Sequence, residues 1–157
     1  MLKWLGLSVF MVVLDQASKL AVIASMDLYE SIDLMPFFRL TYVRNTGAAF
    51  SFLSEAGGWQ RWFFAALAII ISGVLTVWIA RLKKNELMLA VSLSLILGGA
   101  VGNLIDRLLY GYVIDFLDVY YQTWHWPAFN VADSAICVGV ALMILESFGV
   151  GRVEEEE

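Results

Sequence analysis

A chain of 157 residues that is 61% hydrophobic and 16% charged, with a mean hydropathy of +0.76, is too apolar for an ordinary soluble domain and long enough for only a few membrane spans. Its formal net charge of -5 carries no ligand information, because the terminal run Glu154 to Glu157 supplies much of it and reads as a solvated tail. A single cysteine, Cys137, excludes an intramolecular disulfide and, set in an apolar stretch, reads as a small packed residue.

Four segments can span, which predicts an all-α membrane protein: four transmembrane helices with a small extracytoplasmic β-rich segment. The first runs roughly from Leu2 to Ala24 and carries Asp15, Gln16 and Lys19 in its second half. A signal peptide is the competing reading, since Lys3 precedes an apolar run, but the polar interruption and the weak cleavage site favour a retained helix. Trp62 to Ala80 and Leu87 to Ile105 are free of charge and close to the ~20 residues needed to cross ~30 Å of hydrocarbon. The last, roughly Val131 to Val150, begins with Asp133 and holds Glu146 near its other end. Residues 1–150 therefore read as one four-helix domain with loops 25–61 and 109–130, followed by the acidic tail 151–157.

Orientation follows from the basic residues of the short loops. Lys3, the Arg81-Leu-Lys83-Lys84 turn and Arg152 fall on one side of this arrangement, which puts both termini in the cytoplasm. Loops 25–61 and 109–130 then lie outside. Phe38 to Arg44 alternates like a half-buried strand, and Tyr112 to Tyr121 is rich in β-branched and aromatic residues, so a small sheet is expected on the outer face. Trp59, Trp62, Trp124 and Trp126 would settle at that interface, and His125 reads as an interface residue in the same aromatic loop.

The unusual intramembrane polarity collects at one depth. Asp15 and Lys19 share a face of the first helix, Asn103, Asp106 and Arg107 close the third, Asp115 lies just beyond it, and Asn130 and Asp133 open the fourth. An ionisable group at membrane depth costs about 2.5 to 3.5 kcal/mol on insertion scales, so such a set needs a reason beyond packing. A structural ion-pair network is one reason and catalysis is another. With one histidine and one cysteine there is no metal-ligand cluster and no Ser-His couple, and Ser18 and Lys19 are adjacent on a helix and face apart. What remains is a pair of carboxylates, Asp115 and Asp133, that share a proton, one serving as general base and the other as general acid. A proton-coupled transporter would spread polar residues through both leaflets, whereas the cytoplasmic halves here are apolar except for Glu146. A non-enzymatic scaffold would tolerate loss of either aspartate.

Five blocks of sequence then carry a resemblance. Asp15-Gln-Ala-Ser-Lys19, Asn45-Thr-Gly47-Ala48-Ala49-Phe50-Ser51, Gly98-Gly99-Ala-Val-Gly102-Asn103-Leu-Ile-Asp106-Arg107, Val113-Ile114-Asp115-Phe116 and Phe129-Asn130-Val-Ala132-Asp133-Ser134 together resemble, in order, the motifs of the bacterial lipoprotein signal peptidases, or signal peptidase II. The resemblance implies an intramembrane aspartyl endopeptidase of the bacterial cytoplasmic (inner) membrane with Asp115 and Asp133 as its dyad. It implies diacylglyceryl-modified prolipoproteins as substrates, cut before the lipidated cysteine, and globomycin-type cyclic peptides as inhibitors. Asp15, Lys19, Asn45, Gly47, Gly99, Asn103, Arg107, Asn130 and Ala132 become residues of substrate binding or site support. Within the motifs, Asn45 and Asn130 can hold the dyad or the substrate backbone, Gly47, Gly99 and Gly102 permit close approach, and Ala48, Ala49 and Ala132 leave room for the substrate. Arg107 can pair with Asp106 or meet a phospholipid phosphate, and Asp15 and Lys19 can pair across helices or position the substrate. Phe50 and Phe116 read as core residues or as an acyl-chain wall. No cofactor, metal or nucleic acid is expected, and the protein is expected to act as a monomer.

Overall fold

The computed structural model describes residues 1–47 and 57–150. A 3-10 turn over Leu2–Trp4 leads into α1 (Leu5–Ser25), followed by β1 (Ser31–Met35), β2 (Phe38–Asn45), α2 (Gln60–Arg81), α3 (Leu87–Leu109), β3 (Val113–Tyr121), β4 (Trp124–His125) and α4 (Val131–Ser147). The helices coincide with the four apolar segments, and β2 and β3 with the two stretches of alternating or β-rich sequence. The sheet is larger than an all-α class allows: four antiparallel strands in the order β1-β2-β3-β4. β1 and β4 escape a reading of alternation, because every residue of β1 is exposed and β4 has 2 residues.

Among the described residues, three helices are long and apolar enough to cross a membrane: Leu2–Ser25, Gln60–Arg81 and Leu87–Leu109. α4, with 17 residues, extends about 25 Å at 1.5 Å per residue. The bundle turns large apolar side chains outward on α1 and α2, among them Phe10, Val13, Trp62, Ile70 and Val74. Such a surface would be a liability in water and is the normal one in lipid.

α3 is the central helix, packed against α1, α2 and α4. Small residues bring the backbones together, as expected where no hydrophobic force drives helices to associate. A Cβ on Gly98 would lie 2.9 Å from the carbonyl oxygen of Ser8 on α1, and one on Gly99 would collide with the carbonyl oxygen of Ala132 on α4. One apolar cluster, Leu75, Ile79, Leu82, Leu89, Ala90, Leu93 and Leu97, joins α2 to α3 at the end of the bundle away from the sheet. A second, Val22, Met26, Tyr42, Ile114 and Phe116, docks the sheet onto the end of α1.

Two chain reversals bring the polar residues together. Gly111, at φ 85, ends α3 by donating to the carbonyl of Arg107 and turns the chain into β3. Beyond β4 the chain folds back on β3: the Phe129 carbonyl accepts from the N–H groups of Phe116 and Leu117, and Phe129 N–H donates to the Leu117 carbonyl. Asn130 is thereby set beside Asp115, and α4 starts there.

Candidate functional site

Asp115 lies on β3, opposite Val43 of β2, and is 2% exposed. Asp133 occupies the first turn of α4. Its Oδ2 accepts from the backbone N–H of Asn130 (3.2 Å) while the Asn130 side chain accepts from the N–H of Asp133 (2.9 Å), a reciprocal capping box. Three amides hold the two carboxylates. Asn130 Nδ2 donates to Asp115 Oδ1 at 2.7 Å, Asn45 Nδ2 donates to Asp115 Oδ2 at 3.1 Å, and Asn103 Nδ2 donates to Asp133 Oδ1 at 2.8 Å. Asn130 Nδ2 also lies 3.1 Å from Asn103 Oδ1, so the network is continuous from one aspartate to the other.

Burial raises the affinity of Asp115 for its proton, and the negative charge of Asp133 raises it further; hydrogen bonds from Asn45 and Asn130 offset part of the effect, leaving the carboxyl pushed up to about 7.

Behind this pair lies a buried ion cluster. Lys19 is 1% exposed, and Asp15 and Asp106 are both fully buried. Lys19 Nζ sits 2.8 Å from Asp15 Oδ2 and 2.8 Å from Asp106 Oδ2, and it donates to Asn103 Oδ1 at 3.0 Å, so each of its three N–H groups has an acceptor. The carboxylates reach onward. Asp15 Oδ1 accepts from the N–H of Ala132 (2.9 Å) on α4, and Asp106 Oδ2 accepts from the N–H of Ile114 (3.1 Å) on β3. Gln16 adds a donor shared among Asp106 Oδ1, the Gly102 carbonyl and Asp15 Oδ2. A buried charge is tolerable only when paired and hydrogen-bonded, and here each one is.

Lys19 pairs across helices as expected, with Asp106 of α3, and it also pairs with Asp15 within α1. Other expectations resolve differently. Arg107 does not pair with Asp106: consecutive helical residues point about 100° apart. Its guanidinium donates to the carbonyls of Asn103 (3.3 Å) and Gly47 (3.2 Å) and lies 5.3 Å from the Phe64 ring centre. Gly47 N–H in turn donates to Asn45 Oδ1 (3.0 Å), which leaves the Asn45 amide nitrogen to face Asp115. Ala132 does not line open space. It is 1% exposed, in the α3–α4 seam opposite Gly99 and Gly102, where a Cβ on Gly102 would lie 2.6 Å from Asp15 Oδ2. Phe116 is a core residue. Ala48, Ala49, Phe50 and Ser51 lie outside the described residues. His125 is more than an interface residue: its Nδ1 lies 3.0 Å from Asp118 Oδ1, and Asp118 also receives Arg39 Nε at 2.7 Å. Burial alone would raise the proton affinity of Asp118; the bonds from His125 and Arg39 outweigh it and hold the carboxyl below its usual range. Sequence reasoning left Gln16 and Asp118 unassigned. The signal for Gln16 was its place between Asp15 and Lys19 in an otherwise apolar helix; nothing in the pattern marked Asp118.

The pair opens onto a cavity of about 540 Å³. Asn45, Asn103, Arg107, Asp115 and Asp133 supply its polar end, and Trp126, Pro127, Ala128, Phe129, Ile136, Cys137 and Val138 its apolar walls. Cys137 is exposed on this wall rather than packed in the core. An apolar cavity with a few convergent polar groups and a carboxyl that titrates near neutrality has the general character of a catalytic site.

A family model described as signal peptidase (SPase) II matches residues 7–149. The lipoprotein signal peptidase of Alteromonas mediterranea is 54% identical over 156 residues, covering 99% of this chain and 86% of the relative. That of Shewanella loihica is 57% identical over 147 residues, covering 94% and 86%. A solved bacterial membrane enzyme, determined in meso at 2.3 Å, superposes with a TM-score of 0.85 at 34% identity, over 99% of this chain and 94% of the other.

Proposed function

The chain belongs to the signal peptidase II family, aspartic-type membrane peptidases that remove signal peptides from prolipoproteins, and from that premise we propose that Asp115 and Asp133 are its catalytic dyad. The observation that carries the reading is the cavity itself: two carboxylates joined through Asn130 and Asn103, with Asn45 on Asp115, at the polar end of an otherwise apolar chamber. One aspartate, ionised, takes a proton from water as the water oxygen attacks the scissile carbonyl carbon. The other, protonated, gives its proton to the carbonyl oxygen, forming a gem-diol. The first then passes its proton to the leaving nitrogen as the C–N bond breaks, and a diol hydroxyl returns a proton to the second. The chemistry consumes one water, and the dyad ends as it began.

The same reading extends to membrane and substrate. α4 crosses as the fourth span: its residues from Ser134 to Leu145 are uncharged, and it packs along α3 at Gly99 and Gly139. Both termini lie in the cytoplasm, the sheet lies on the outer face of the bacterial cytoplasmic membrane, and residues 1–150 act as one unit. The substrate's signal segment arrives laterally through the phospholipid. The apolar wall of Ile136, Cys137 and Val138 suits the diacylglyceryl group, and the peptide bond before the lipidated cysteine extends towards the dyad. The test is turnover of a lipidated prolipoprotein by purified Asp115→Asn and Asp133→Asn. Each variant should fold and should not cleave, because the amide can neither accept nor share the proton. Cleavage at the wild-type rate by either would remove that residue from the chemistry.

A further inference from the structure

We infer that Lys19 localises the proton of the dyad: acting through the Asn103 amide, it holds Asp133 as the ionised member, the general base towards water, and leaves the proton on Asp115, the general acid. The inference rests on the dyad reading above and assigns its two roles. The geometry that carries it is an asymmetry. Asn103 Oδ1 faces two donors, Lys19 Nζ at 3.0 Å and Asn130 Nδ2 at 3.1 Å, and so cannot exchange places with its own nitrogen. Asn103 Nδ2 is thereby committed to Asp133 at 2.8 Å. An ammonium on the oxygen of an amide polarises its N–H groups into stronger donors, and this favours a charged acceptor. Asp133 has a second support for charge, the N-terminal turn of α4, whose backbone Asn130 N–H it also accepts. Among the described residues Asp115 has neither: it sits on a strand and accepts from the neutral amides of Asn45 and Asn130.

The other charged groups around the pair do not reverse this order. From α1 come Lys19 and Asp15; from α3 come Asp106 and Arg107; β2 contributes the neutral Asn45. Asp15 and Asp106 both contact Lys19 directly, and Arg107 is engaged by the Asn103 and Gly47 carbonyls. The proton affinity of Asp115, raised to about 7 by burial and by its neighbour's charge, agrees with a proton resting there.

Lys19 is thus a positioning residue, and the deciding readout is a pH profile. kcat/KM for a lipidated prolipoprotein should fall on the acidic side as the base is protonated. In Lys19→Met that acidic limb should move to higher pH by about one unit, because the base loses its polarised donor. Removing the lysine alone strands two buried carboxylates, so the companion variant Asp15→Asn/Lys19→Met/Asp106→Asn leaves no unpaired charge and should show the same displacement. A third measurement needs no substitution in the ion cluster. With 13Cγ-labelled aspartate in the wild-type protein at about pH 6, Asp133 should resonate as a carboxylate and Asp115 as a carboxylic acid. An acidic limb that stays in place while kcat falls, or the opposite 13C assignment, overturns the inference. Either result leaves the dyad standing, whereas cleavage by Asp115→Asn or Asp133→Asn would remove the dyad itself.

Discussion

Replacing Asp115 by Asn should make the protein more resistant to unfolding at neutral and alkaline pH while abolishing cleavage. In the folded chain the carboxyl is held at about 7 against an ordinary 3.8, a difference of about three units. At 1.36 kcal/mol per unit, the folded state is penalised by up to about 4 kcal/mol once the pH exceeds both values. The sign follows from proton binding: between 3.8 and 7 the folded state holds more protons than the unfolded one, so the wild type loses stability as pH rises through that window and is level above it. Asn at this position carries no such penalty. It does carry a local cost, because Asn45 and Asn130 both donate to Asp115 and an amide presents only one acceptor oxygen, so one bond worth about 1 to 2 kcal/mol is lost. The net gain is about 2 kcal/mol at pH 8, or several degrees in Tm for a chain of this size. Intrinsic tryptophan fluorescence in detergent micelles, recorded on heating at a series of pH values from 4 to 8, measures it. The Tm curve of the wild type should descend across the window more steeply than that of the variant, the two crossing at about pH 5. Parallel curves would refute the reasoning, and so would a variant less stable at every pH, which would mean that Asp115 is held as a structural anion.

The helix seam makes a second prediction: Gly99→Ala should lower stability by about 1 to 3 kcal/mol and reduce kcat, since the added methyl meets the Ala132 carbonyl and displaces the turn that carries Asp133; circular dichroism melting and turnover of the same sample check both. A bulky thiol reagent should inhibit the wild type by filling the cavity at Cys137, and Cys137→Ser should be active and insensitive, whereas equal sensitivity in the two would place the thiol outside the substrate path. A prolipoprotein whose cysteine lacks the diacylglyceryl group should be cut poorly, because remote apolar binding positions the scissile bond; equal rates on both substrates would point to a general aspartyl protease. Chelators should leave turnover unchanged if the pair works without a metal, and loss restored by one specific metal ion would overturn that mechanism.

Much of this protein is written in local pattern. The apolar segments that became α1 to α4 stand out because a helix satisfies its own backbone within the segment, and three of them, among the described residues, are long and apolar enough to meet lipid, a demand that acts residue by residue. β2 and β3 were legible for a similar reason, since most of their residues are at least partly buried and their composition shows it. The polar residues that meet at the sheet end were also evident, because charge in such a chain is costly wherever it lies. Their partnerships were not. Asp106 and Arg107 are neighbours in sequence, yet one closes the buried cluster around Lys19 and the other faces the cavity. That choice depends on the rotation of α3 against α1 and α4, which is decided by the close approaches at Gly98, Gly99 and Gly102. Ala132 was assigned to the substrate's side for the same reason: its size suited either location, and only the packing of α4 on α3 places it in the seam. β1 and β4 depended wholly on tertiary structure, being exposed or 2 residues long, and they exist as strands because β2 and β3 present edges for them to pair with. Composition and periodicity act within a segment and so determined the helices, the two central strands and the inventory of polar groups; pairing between side chains distant in the chain is a property of helix rotation and strand register, which the packed structure alone decides.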